Sequence, residues 1–326
     1  MTLLPGLIAC VVIAAIAAVL GKWAPLIGGP VFAILMGVAI AAWRPPAPAF
    51  QPGTAFAGKT LLQWSIVLLG ANLSLTQIAR GGAEALPVML GTFAIVLILG
   101  YVCGRMLGLD RNLRRLLAIG TAICGGSAIA ALSGVIDVDR SDVAYALGVV
   151  FFFNVIAVLV FPPLGHAMAL SQSAFGLWAG TAINDTSSVV AAAFAYGHAA
   201  GSAGVVVKLT RTLLIVPVVL FYAWKRLATA PRGQRGIDWR GVFPWFILWF
   251  LAVATAASLG WIPTAWRGPL EHVALFTITV ALAGVGLSAD VERIRSAGLR
   301  PLVLGAVLWI SIAASSLAIA HFAGIG

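Results

Sequence analysis

The stretch GTAINDTSS, residues 180–188, interrupts an apolar run with Asn184, Asp185, Thr186, Ser187 and Ser188 in succession. A carboxylate at membrane depth is costly and marks a functional position by default. Of the ten acidic residues, Asp185 alone lies deep in an apolar run; Glu84, Asp110, Asp137, Asp139, Asp142, Asp238, Glu271, Asp290 and Glu292 fall at segment ends or in loops. Asn, Asp and Thr side chains can bond to nearby backbone and so support an unwound turn. A second interruption, GTAICGGSAIAA at 120–131, shares Gly-Thr-Ala-Ile and then a Ser with GTAINDTSSVVAA at 180–192. Cys124, Gly125, Gly126 and Ser127 occupy that break, where paired glycines bend freely and bare their N–H groups. Two facing interrupted helices offer half-helix N-termini to an anion and carbonyl ends to a cation. Ser127, Ser187, Ser188, Thr121 and Thr181 add uncharged hydrogen-bond partners. Close helix packing through small residues is the competing reading. It suits the glycines alone, but it does not account for the polar cluster.

Asp185 needs a proton or a cationic partner. Lys208 and Arg211 lie in the next apolar run, GVVVKLTRTLLIVPVV (204–219). If the chain turns near 197–204, a helical rise of about 1.5 Å per residue puts Arg211 about 10 Å deep, Lys208 about 6 Å and Asp185 about 18 Å. Arg211 is then the better ion-pair partner, and Lys208 can snorkel to the surface. Such a pair either bolts two helices together or serves transport. In the second case Arg211 or Lys208 binds an anionic substrate, the fork of arginine suiting a sulfate or carboxylate, while Asp185 titrates or pairs.

These residues sit in a chain of 326 residues that is 61% hydrophobic and 9% charged. Soluble domains carry about 25% charged residues, so the chain reads as an all-α polytopic membrane protein, one integral membrane domain over residues 1–326. A span needs about 20 mostly apolar residues, and about eleven (ten or eleven) transmembrane helices are predicted: 3–20, 27–43, 60–79, 86–107, 115–136, 142–165, 174–197, 203–224, 242–260, 270–289 and 301–322. The N-terminal run lacks a basic leader region and reads as the first span. With the N-terminus inside, Arg44, Lys59, Arg105, Arg111, Arg114, Arg115, Lys225, Arg226, Arg232, Arg235, Arg240, Arg293, Arg295 and Arg300 are cytoplasmic, fourteen in all; Lys22, Arg80, Arg140 and Arg267, four, are outside. That bias predicts a cytoplasmic N-terminus and an external C-terminus. It also accounts for the net charge of +10 without a nucleic-acid partner. Cys10, Cys103 and Cys124 have no paired spacing, and HExxH, Walker A and CxxC motifs are lacking, so no disulfide, metal or cofactor is expected. Asn72 and Asn154 read as interhelical hydrogen bonders, and Trp23, Trp43, Trp239, Trp261 and Trp266 fall at the predicted interfaces.

An internal repeat is visible at an offset of 214. LLGANLSLTQIARGGAEALPVMLG (68–91) aligns without gaps to LAGVGLSADVERIRSAGLRPLVLG (282–305), keeping Leu68, Gly70, Leu73, Ser74, Ala83, Pro87, Leu90 and Gly91 as Leu282, Gly284, Leu287, Ser288, Ala297, Pro301, Leu304 and Gly305. The two copies run in opposite directions, as in secondary transporters built from inverted repeats. The likeness at offset 60 poses a parity problem, because segments five and seven come out parallel. Either a segment is miscounted or re-entrant, or the likeness reflects similar local roles.

LLQWSIVLLGANLSLTQI, LLAIGTAICGGSAIAAL, GTAINDTSSVVAAAFAYG and KLTRTLLIVPVVL together resemble the YeiH-like sulfate exporter family of bacterial inner-membrane proteins, over roughly 25–325. The family is grouped with the bile acid/arsenite/riboflavin transporter superfamily. The resemblance implies inverted repeats, two discontinuous crossing helices and alternating access. AICGGSAIAA is similar to the Gly-rich break of a crossing helix in bile-acid-type transporters, and Asn184-Asp185 resembles the Asn-Asp pair of cation/proton antiporters. The expected activity is secondary transport of a small inorganic or organic anion, sulfate or a sulfonate, coupled to H⁺ or Na⁺ across the bacterial inner membrane. A sodium-coupled organic anion symporter and a passive anion channel are the alternatives, and a homo-oligomer is compatible with either. An intramembrane enzyme would need a deep dyad or metal motif, and none is present in the sequence.

Overall fold

The apolar segments must close their own backbone hydrogen bonds in lipid, and helices do so locally. The computed structural model describes residues 3–23, 28–229, 244–289 and 298–325, and all regular structure among them is helical. Among the described residues six helices are long and apolar enough to cross a membrane: Leu4–Trp23, Leu75–Met106, Arg140–Ala167, His198–Lys225, Thr264–Leu287 and Leu299–Phe322. Arg232, Arg235, Asp238, Trp239, Arg240, Asp290, Glu292, Arg293, Arg295 and Ala297, which enter the charged residues, the interface tryptophans and the repeat, lie outside the described residues.

In chain order the helices are α1 (Leu4–Trp23), α2 (Gly28–Trp43), α3 (Gln51–Phe56), α4 (Leu62–Leu69), α5 (Leu75–Met106), α6 (Arg111–Ala122), α7 (Gly126–Ser133) and α8 (Arg140–Ala167). They continue as α9 (Gln172–Ala182), α10 (Thr186–Tyr196), α11 (His198–Thr212), α12 (Ile215–Thr229), α13 (Phe246–Ser258), α14 (Thr264–Leu287) and α15 (Leu299–Phe322). A π-helical turn, Ala57–Leu61, joins α3 to α4.

Two bundles result. α1–α4, α13 and α14 pack on one another, and α5–α12 with α15 form the second group. The substantial contacts between the groups are α2 with α8 and α10, α14 with α10, and α5 with α13. Small residues set the closest approaches. A Cβ on Gly37 of α2 would lie 2.7 Å from the Ala283 carbonyl oxygen of α14, and one on Gly176 of α9 would lie 2.7 Å from the Ala200 carbonyl oxygen of α11.

The two interrupted segments differ from expectation. The predicted discontinuous crossing helices, 115–136 and 174–197, do not pass straight through. Asn112 Nδ2, at the start of α6, donates to the Asp137 carbonyl beyond α7 at 3.0 Å. A straight helix over that interval would separate the two by about 37 Å. Likewise Gln172 Oε1, at the start of α9, accepts from the Ala199 amide beyond α10 at 2.9 Å. The Phe175 and Tyr196 rings stack with centroids 3.9 Å apart. Both segments are therefore helical hairpins, α6–α7 and α9–α10, each folded back at its polar break. This resolves the parity problem in favour of re-entrant segments.

The hairpins enter from opposite ends of α8. The tip of the first lies beside Val150, where a Cβ on Gly125 would be 3.2 Å from Val150 Cγ1. The tip of the second lies one turn further, where the Asp185 amide donates to Asn154 Oδ1 at 3.3 Å. The open end of the second packs near Gly165. Arms of 8 to 12 residues reach about 12 to 18 Å, roughly half of a hydrocarbon core about 30 Å thick. The two tips meet beside Val150 and Asn154, near the middle of α8.

Candidate functional site

Each hairpin reverses over three residues, Ile123-Cys124-Gly125 and Ile183-Asn184-Asp185, between helices that end and restart. Gly125 makes the first reversal possible. Its φ of 65° and ψ of −123° lie where residues with a Cβ are strained. Asp185 restarts the second hairpin. Its Oδ2 accepts from the Ser187 amide at 3.0 Å, capping α10, and also from the Ser187 hydroxyl. Gly125→Ala is expected to lower stability by about 1–3 kcal/mol, because the new Cβ adds backbone strain and presses on Val150. Gly126→Ala, at an ordinary helical position, should cost less. Thermal unfolding of the two purified variants in the same detergent checks the difference.

The reversal leaves the last carbonyls of α6 and α9 without helical partners, at the negative ends of both helix dipoles. Arg211 and Lys208, both fully buried on α11, fill that role. Arg211 donates from Nε to the Ala122 carbonyl at 2.8 Å, from Nη2 to the Thr121 carbonyl at 2.6 Å, and from Nη1 to the Thr181 carbonyl. Lys208 Nζ donates to the Ile123 carbonyl at 2.9 Å and to the Ile183 carbonyl at 2.8 Å. Two cations thus hold five carbonyls, and each cation bridges both hairpins.

This overturns the expected ion pair. Arg211 is not the partner of Asp185, and Lys208 does not snorkel to the surface. Asp185 has no ion-pair partner among the described residues, whereas His198 Nδ1 and Glu271 Oε1 pair at 3.1 Å. The depths argued from the sequence assume a straight span. Folding back puts residues 208 and 211 level with the tips.

The opposite side of the tips borders a cavity of about 700 Å³. Cys124, Gly126, Ser127, Asn154, Asp185, Thr186 and Ser187 line it from the second bundle, with Thr212 nearby. Lys59, Gln63 and Ser288 line it from the first. Leu62, Ile66, Phe151, Ile215, Phe246 and Val285 form its apolar walls. Two helix N-termini face this space, that of α7 without a side-chain cap and that of α10 with Asp185 as its cap.

The structure therefore sorts the predicted residues into two sets. Cys124, Gly126, Ser127, Asp185, Thr186 and Ser187 border the cavity, and Gly125 shapes its floor. Arg211 and Lys208 are sealed behind the tips. Asn184 and Ser188 are buried, and the Asn184 Oδ1 atom has no donor. Thr181 turns away, sharing a 2.5 Å hydrogen bond with Ser316 of α15. Asn72 donates to the Arg267 carbonyl at 3.3 Å, an interhelical bond as its sequence context predicts. Lys59, Gln63, Thr212 and Ser288 line the cavity without having been marked as site residues by the sequence, where Ser288 figures only in the repeat and Lys59 only in the charge count. The signal that points to Lys59 is the π-helical turn that carries it, a device common at functional sites, and it is not readable from residue order.

Comparison with known proteins identifies a family of membrane proteins. The sequence matches the family described as Conserved hypothetical protein 698 over residues 5–305. It is 39% identical over 329 residues to a UPF0324 membrane protein of Streptococcus pneumoniae serotype 4, covering 98% of this chain and 97% of that protein. It is 39% identical over 322 residues to one of Streptococcus agalactiae serotype V, covering 96% of each. It is 38% identical over 334 residues to one of Streptococcus mutans serotype c, covering 99% of this chain and 98% of that protein. Together with its apolar helices, these matches make the chain a multi-pass helical membrane protein that belongs to the UPF0324 membrane protein family, also described as Conserved hypothetical protein 698.

Proposed function

We propose that the protein is a secondary active transporter of a small anion, working by alternating access and coupled to H⁺ or Na⁺. The observation that carries this reading is the meeting of two re-entrant hairpin tips, from opposite ends of α8, at a polar cavity between two helix bundles. Irregular backbone at membrane depth is tolerated where it lines such a cavity, and transporters place substrate there.

The topology follows the same reading. With two re-entrant hairpins, nine segments cross the bilayer and the termini still lie on opposite sides. Arg140 moves to the side of Arg111, so fifteen Lys and Arg residues fall inside and three outside. This sharper bias favours a cytoplasmic N-terminus in an inner membrane. α5 and α15, which follow the repeated segments, run antiparallel: Cβ atoms built on Gly91 and Gly104 would approach Ile319 and Leu304. That is the relation an inverted repeat requires. In this orientation Lys59, Trp245 and Ser288, which line the cavity, lie toward the basic side, so the reading has the cavity open to the cytoplasm.

Radiolabelled sulfate and ethanesulfonate uptake into proteoliposomes, with and without imposed pH or Na⁺ gradients, tests the reading. Gradient-driven accumulation supports it. Flux that never exceeds equilibration favours a channel, and no flux of either anion or of other small anions sinks the proposal.

Alternating access requires the bundles to move past each other. His198 of α11 and Glu271 of α14 touch across them, near the open end of the second hairpin. Joining His198→Cys to Glu271→Cys with a short bismaleimide, in a background lacking the native cysteines, is expected to cut flux about tenfold or more. Unchanged flux after complete cross-linking would count against relative motion of the bundles.

A further inference from the structure

The cavity is dipolar. Its deep cations are not available to a ligand, since Arg211 and Lys208 are fully buried behind the tips and directed at five tip carbonyls. What faces the space is of two kinds. Donors come from the uncapped start of α7, where the Gly126 and Ser127 amides have no acceptor among the described residues. Asn154 adds to them. It is 4% exposed and lines the cavity; its Oδ1 is used by the Asp185 amide, while its Nδ2 has no acceptor among the described residues. This arrangement suits an oxyanion.

Beside it stands an acceptor with nothing to accept. Asp185 gives Oδ2 to Ser187, but Oδ1 has no donor among the described residues. The neighbouring Asn184 Oδ1 is likewise buried without a donor. The acid and the donors are adjacent, because a Cβ on Gly125 would lie 3.6 Å from Asp185 Cβ. A bare dianion would be repelled there. A desolvated metal cation would need a cage of oxygens, and the tip carbonyls best placed to build one are already held by Arg211 and Lys208. An ammonium group needs only two or three acceptors.

We propose that the cavity binds a small zwitterion, an organic solute carrying both an acidic oxyanion and an ammonium group. The acid lies on the Gly126 and Ser127 amides and Asn154 Nδ2, and the ammonium lies on the Asp185 carboxylate. The apolar wall formed by Leu62, Ile66 and Phe246 faces the carbon chain between them. This rests on reading the hairpin cavity as the solute site, and it shifts the solute from a small anion to a net-neutral one whose acidic oxyanion takes the anion's place and whose ammonium answers Asp185.

The test is titration calorimetry on the full chain in detergent, in Na⁺-free buffer. The probes are 2-aminoethanesulfonate against ethanesulfonate, and 3-aminopropanoate against propanoate. Each amino acid is expected to bind about tenfold or more tighter than its deaminated partner, as a charge-assisted hydrogen bond warrants. Asp185→Asn and Asp185→Ser both keep an α10 cap, and both should erase most of that preference while leaving thermal stability near wild type. Equal binding of the deaminated probes overturns the proposal, as does deaminated binding that reaches parity once Na⁺ is added. Absence of binding by every probe also overturns it. Because the readout is binding, failure here with gradient-driven sulfate flux leaves the transporter reading standing; amino-acid binding without any flux does the reverse.

Discussion

Arg211→Ala is expected to prevent accumulation of folded protein, the largest single-residue effect on stability in this chain. The guanidinium satisfies three carbonyls, those of Thr121, Ala122 and Thr181, at the ends of two helices deep in the molecule. Alanine would leave all three without donors, remove a positive charge from two helix C-termini and open a cavity. At about 1–3 kcal/mol for each buried acceptor left unpaired, the loss is about 5 kcal/mol or more, comparable with the whole stability of many domains. Arg211→Lys keeps the charge, but its compact ammonium lacks the planar fork, so it should be intermediate. Yield of monodisperse protein on size exclusion, with thermal unfolding of what is recovered, measures both. Wild-type yield and unfolding temperature in Arg211→Ala would mean that the carbonyls find other donors and that the clamp is dispensable.

Asp185→Asn should instead leave the fold and abolish transport. Asparagine caps a helix about as well as aspartate, so the start of α10 survives. Arg211 and Lys208 are engaged by carbonyls and lose no ion-pair partner. What disappears is the negative charge in the cavity, and with it the cation half of the solute or coupling-ion interaction. Proteoliposome flux is expected to fall about a hundredfold, since loss of a charged hydrogen bond at about 1.5–3 kcal/mol weakens both binding and the translocation step that depends on it. The unfolding temperature should stay close to wild type. Wild-type flux in this variant would remove Asp185 from the transport cycle. A collapse of stability would show that its role is structural after all.

The contrast between these two residues comes from the tertiary structure. By charge alone, Arg211 is the natural mate of Asp185, and residue order suggests that match. The actual acceptors are backbone carbonyls, which every residue carries, so nothing in the residue order marks them. They become special only because α6 and α9 stop where they do and lie beside α11. The Asn184-Asp185 pair is legible as a break point, since close helix packing does not account for a polar cluster in an oily run, whereas the glycines beside Gly125 suit close packing equally well.

Residue order by itself determined that this chain is helical and built for lipid, where its helices are interrupted, and that Asp185, Gly126 and Ser127 fall at the breaks. Apolar run length, charge depletion and small-residue breaks are one-dimensional properties. Tertiary structure decided that each interrupted run reverses, that the two tips meet near the middle of the molecule, and that Arg211 and Lys208 clamp carbonyls while Asp185 faces a cavity. A break in an apolar helix satisfies hydropathy equally well whether the chain continues or folds back. Contacts between distant residues, Asn112 with Asp137 and Gln172 with Ala199, choose the second.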